Sequence, residues 1–153
     1  MDKKITVLDL YLKGINVYDS QNDKNKSKTI SLFVYTIKNL IYRSAHFCNF
    51  SKRKTINLAD LKSAIILEFY NDEYSNHLLK IIDKNEELSV NIQLKNILYS
   101  FIPNYFIIPT DIILKVFHIS KNITEKILNN NLFANKVFLK DEKFKYFFQS
   151  YNK

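Results

Sequence analysis

The chain is 153 residues long, 46% apolar, with a formal net charge of +8 at neutral pH. That length allows one domain or two very small ones, with ample apolar material for a core. One glycine and two prolines argue for long helices and against a hairpin-rich β fold. The single Cys48 excludes an intramolecular disulfide and a zinc site of its own.

One glycine also leaves no room for a Gly-rich phosphate loop. Asp2 and Asp9 interrupt the apolar residues at the start, so no secretory leader is read there. A lone cysteine fits a reducing, intracellular compartment. The most apolar window, Phe101 to Phe117, is broken by Pro103, Pro109 and Asp111 and does not read as a membrane span. His46, His77 and His118 are far apart in sequence, and no nucleophile–base arrangement stands out. The expectation is a protein that is not an enzyme, with no metal, cofactor or small-molecule substrate.

In chain order, Ile5, Leu8, Leu12 and Ile15 recur at helical spacing and predict a short amphipathic helix over residues 4–15, with Gly14 near its end. The polar stretch 16–28 reads as a loop. From Ser27 to Ser51 a long apolar stripe predicts one helix: Ile30, Phe33, Val34, Ile37, Leu40, Ile41, Ala45 and Cys48, widened by Leu32, Tyr35 and Tyr42. A helix apolar over so much of its girth must be covered on both sides. Lys52-Arg53-Lys54-Thr55 then form a basic loop. Asn57 is placed to cap a helix from Leu58 to Phe69. Asp60 can reach back to the free amides, and Ile56 and Leu61 are spaced for a hydrophobic staple.

Leu78, Leu79, Ile81 and Ile82 predict a further helix after Asn71-Asp72, and Asp83 to Glu87 is a candidate boundary between domains 1–87 and 88–153. Beyond it, helices are read over 90–102 and from Thr110-Asp111 onward. Ser120-Lys121-Asn122 is a candidate interruption, Asn129-Asn130-Asn131 a stop, Val137 to Leu139 an extended piece and Asp141 to Tyr151 a last helix.

The charge is uneven. Residues 24–62 carry Lys24, Lys26, Lys28, Lys38, Arg43, Lys52, Arg53, Lys54 and Lys62 against Asp60 alone, a surplus equal to that of the whole chain. So concentrated a positive field favours a polyanion, most often nucleic acid.

The order short helix, loop, long helix, basic loop, short helix resembles the histone fold over residues 5–82. Phe33-Val34 with Ile37 resembles the middle of its central helix. Lys52-Arg53-Lys54-Thr55-Ile56 followed by Asp60-Leu61 and Ala64-Ile65 resembles the second loop and third helix of core histones. Glu73 and His77 on the next helix are similar to one outer-dimer histone type, and Asn71-Asp72-Glu73 to the other. The resemblance implies an all-α fold that pairs with another histone-fold protein, or with its own C-terminal half, in a head-to-tail handshake. There the second loop of one partner lies beside the first loop of the other.

Residues 88–153 admit two readings. As a second, degenerate histone fold they supply a short helix at Gln93–Phe101, a first loop at 102–109 and a long helix from Thr110 to about Asn131. The chain is then similar to the fused histones of some large DNA viruses. Alternatively, residues 111–128 resemble a helix-turn-helix with Ser120 capping the recognition helix, as in a subunit of a transcription complex acting mainly through protein contacts.

The histone resemblance implies binding to duplex DNA in the nucleus, a virion or a viral factory. Lys52, Arg53, Lys54 and Thr55 would be the phosphate-binding loop, with Arg53 turned towards the minor groove. Lys24, Lys26 and Lys28 would be the first loop's share and Lys136 the second half's counterpart. The chain departs from the family in lacking a long basic tail and in using Lys where Arg is usual.

Overall fold

Helices account for nearly all the structure in this computed structural model, which describes residues 3–69, 73–84, 92–101 and 106–130. In order they are α1 (Lys3–Leu12), α2 (Asn16–Asp19), α3 (Asp23–Phe50), α4 (Leu58–Glu68), α5 (Glu73–Asp83), α6 (Ile92–Phe101) and α7 (Thr110–Asn129). Among the described residues there is no strand, only an isolated parallel bridge between Thr55 and Ile107. The fold is all-α. The expected extended piece at 137–139, the last helix and Lys136 lie outside the described residues, as do Asn71 and Asp72.

The stretch 16–28 is not a loop. Asn16–Asp19 makes one helical turn, and α3 already begins at Asp23. Its start is a local affair. The Asn22 side chain accepts from the Asn25 amide at 2.8 Å, and Asp23 in the first turn complements the helix dipole. Apolar periodicity could not announce these turns, because residues 22–28 face largely outward. Lys24, Lys26 and Lys28 therefore stand on the first two turns of a helix. From Asp23 the 28 residues of α3 run unbroken to Phe50, about 42 Å at 1.5 Å per residue.

A second correction concerns α7. It continues through Ser120-Lys121-Asn122 as one 20-residue helix, so the turn a helix-turn-helix needs is absent there. Ile119, Ser120, Ile123, Thr124 and Ile127 are all buried, and that packed face carries the helix across three residues of modest propensity.

The chain divides into two compact units: residues 1–34 with 121–153, and residues 35–120. Each unit thus draws chain from both sides of the 87/88 boundary. The first holds buried Leu8, Leu12, Ile15, Tyr18, Ile30, Leu32, Phe33, Ile123 and Ile127. In it, Tyr11 stacks on Phe33 with ring centroids 5.7 Å apart, and the Lys121 ammonium lies 5.2 Å from the centroid of Tyr11. The Tyr18 hydroxyl donates to Asp9, and the Gly14 amide donates to Asp19 Oδ2 at 3.1 Å. Gly14 has φ +100, a conformation glycine adopts without the usual steric cost.

In the second unit α4 packs against α5, with Phe69 edge-on to Tyr74. Arg43 on α3 is 2.9 Å from Glu68 on α4, whose carboxylate is nearly buried. Lys115 on α7 donates to the Ile82 carbonyl at 2.7 Å, satisfying an acceptor in the last turn of α5.

Candidate functional site

The basic loop is built by the end of α3 and the start of α4. The Arg53 amide donates to the Cys48 carbonyl at 3.1 Å, and the Lys52 amide to the Asn49 carbonyl at 2.9 Å. These are the paired bonds of a Schellman cap, and Lys52, at φ +58, takes the left-handed position that glycine usually fills. The Cys48 thiol also donates to the Arg53 carbonyl at 3.2 Å. Burial, followed by the nearby Asp60 carboxylate, raises the Cys48 pKa above its ordinary value against the opposing pull of Arg53.

On the other side, Asn57 caps α4 in a reciprocal box. Its side chain accepts from the Asp60 amide at 3.0 Å, and Asp60 Oδ2 accepts from the Asn57 amide at 2.9 Å. Asp60 does more than cap. Its Oδ1 accepts from Arg53 Nη2 at 2.7 Å and its Oδ2 from Arg53 Nη1 at 2.9 Å, a bidentate, charge-assisted pair. Arg53 Nη1 also donates to the Thr55 carbonyl at 3.2 Å. Asp60 is buried. Burial alone would raise its pKa, but the bonds from Arg53 and Asn57 outweigh that and hold it below the usual carboxylate value.

Arg53, expected to turn towards a minor groove, is instead bonded to Asp60 through both terminal nitrogens while its side chain stays partly exposed. The pair lies within one loop–helix corner, its acid buried and its guanidinium partly exposed, and is held by two charge-assisted hydrogen bonds. Lys52, Lys54 and Thr55 are exposed and remain the outward groups. The loop is braced from the second half of the chain. The Ile107 amide donates to the Lys54 carbonyl, and the Ile56 amide to the Ile107 carbonyl, both at 2.9 Å. Tyr99 Oη on α6 donates in turn to the Ile108 carbonyl at 3.2 Å.

The remaining candidates are elsewhere. Lys24, Lys26 and Lys28 belong to the first compact unit. Lys24 is exposed, and the Lys26 ammonium lies 5.4 Å from the centroid of the Tyr18 ring. Two features of the corner escaped the sequence. Ile107 lies some fifty residues from its partner and carries no local signal. Phe50, two residues past the last position of the apolar stripe, is 89% exposed.

Among the described residues no His, Cys, Asp and Glu cluster suits a metal ion, and no helix is long and apolar enough to cross a membrane. Comparison of the chain with protein-family models, with curated proteins and with solved structures finds no match.

Proposed function

We propose that the chain is a histone-like binding protein, not an enzyme, that clasps its own two halves in a handshake. On this reading it binds or compacts duplex DNA with little sequence preference, in the nucleus, a virion or a viral factory. The observation that carries this reading is the pairing of Lys54 and Ile56 with Ile107. It sets the cationic loop of the first half beside the segment that leads into the long helix of the second, as a handshake requires. Two further features support it. The lengths of α1, α3 and α4 run short, long, short, and α6 and α7 begin the same order again. Each compact unit also mixes chain from both halves.

In this function Lys52 and Lys54 neutralise phosphates, Thr55 supplies a hydroxyl, and Arg53 positions the loop through Asp60. The lysines on the first turns of α3 form a second candidate group. Binding is then driven by counterion release and favours bendable sequence over particular bases. Titrating unrelated duplexes across a salt series tests it. Replacing Lys52 and Lys54 by Ala should weaken every duplex alike and flatten the slope of log K against log salt by about 1.8, at roughly 0.9 per phosphate. A loss confined to one sequence contradicts the mechanism.

A second reading, a protein-interaction subunit of a transcription assembly, is favoured by exposed Tyr42 on α3 and exposed Ile66 and Leu67 on α4. Tyr42 and Leu67 neighbour, in sequence, the Arg43–Glu68 ion pair that joins the two helices. Absence of salt-dependent duplex binding selects that alternative.

A further inference from the structure

The geometry of the cationic corner points to a further contact: Phe50 enters a base step of the bound duplex as an apolar wedge, while Lys52 and Lys54 hold the phosphates beside it. This rests on the duplex-binding reading and specifies how the duplex is engaged.

Single exposed apolar residues are common and need no explanation by themselves. Phe50 differs in degree and in place. It is 89% exposed and is the last residue of α3, two positions before Lys52. The Schellman bonds that fold Arg53 back over Cys48 fix the backbone on its C-terminal side, so the ring is presented from a rigid helix end.

Across the loop, Ile107 is 59% exposed and is the parallel bridge partner of Thr55, itself exposed. Residues 51–57 and 106–109 contain no acid. Asp60, within the corner, is buried and paired with Arg53, and the next acid along the bracing segment is exposed Asp111, four residues beyond Ile107. The corner thus carries exposed Phe50 and Ile107 together with exposed Lys52 and Lys54, and the acid inside it, Asp60, is taken up by Arg53.

That chemistry fits a duplex. Phe and Ile are side chains that unstack base steps from the minor groove, and pyrimidine–purine steps open at least cost. An anionic lipid surface also attracts lysines, but stable membrane anchoring takes a broad amphipathic face or added acyl chains rather than two side chains.

The test uses the full chain, a duplex carrying 2-aminopurine at a TA step, and vesicles containing phosphatidylserine. Wild type should bind the duplex in a salt-dependent way and raise the 2-aminopurine fluorescence. Phe50→Ala, at a site too exposed to matter for packing, should keep its helical circular dichroism and its salt slope. It should lose the fluorescence rise and about tenfold in affinity, the scale of one stacking contact. Phe50→Leu should keep part of the rise.

Wild-type binding without any rise, or an equal rise with Phe50→Ala, overturns the wedge and leaves the duplex reading standing. So does a Phe50→Ala defect seen only in vesicle binding or in self-association by sedimentation. If wild type binds no duplex at any salt, the duplex reading falls and takes the wedge with it.

Discussion

Lys52 holds a left-handed backbone conformation at a cost of about 1–2 kcal/mol relative to glycine. Asparagine tolerates that conformation better and is abundant in this chain. A charge at a strained position agrees with the phosphate-binding role proposed for Lys52. Lys52→Gly should raise stability by about 0.5–1 kcal/mol in urea unfolding, while weakening duplex binding.

Asp60 acts in the opposite sense, as a group that holds the loop rather than works from it. Its pKa is lowered in the folded chain, so its contribution is complete above the unfolded carboxylate value of about 3.9. That contribution disappears as pH falls through the depressed folded value. Asp60→Asn should lose about 1–3 kcal/mol at pH 7, less than a fully buried pair because Arg53 is partly exposed. The gap to wild type should narrow in acid, which unfolding curves at pH 7 and pH 3 would show.

At the scale of elements, the helices are governed by two different signals. The core stretches of α3 and α7 follow apolar periodicity. The first turns of α3 follow the Asn22 cap, and the left-handed stop of α3 follows from a Schellman cap without glycine, which no composition rule announces. The continuity of α7 past Ser120 is the element most exposed to test. Lys121→Pro should cost about 3 kcal/mol, because it removes an amide from a helix interior. A turn at this point would accept proline with little loss, so a small shift in melting temperature would contradict the helix.

At the scale of the molecule, the 24–62 segment holds a surplus equal to the whole net charge, and the structure leaves Lys52 and Lys54 of that segment exposed. If the two halves clasp each other, each lacks a covered core alone. Residues 1–87 and 88–153 expressed separately should give poorly dispersed amide spectra, and co-expressed they should co-purify as a folded pair. Two halves that each fold alone would remove the handshake from the account.

The all-α class, the long α3, the Asn57–Asp60 cap and the cationic loop were legible in the sequence, because each depends on residues a few positions apart. Helical spacing, capping and charge clustering are local properties that any fold must respect. The role of Arg53 was only half legible: its place in the basic loop was visible, but its pairing with Asp60 was not, because it depends on how the loop folds back onto the start of α4. The bracing of Lys54 and Ile56 by Ile107, and the exposure of Phe50, belong to tertiary structure alone. Hydrogen bonds between distant segments leave no periodic trace, and whether an apolar side chain is covered depends on what the rest of the chain brings to it.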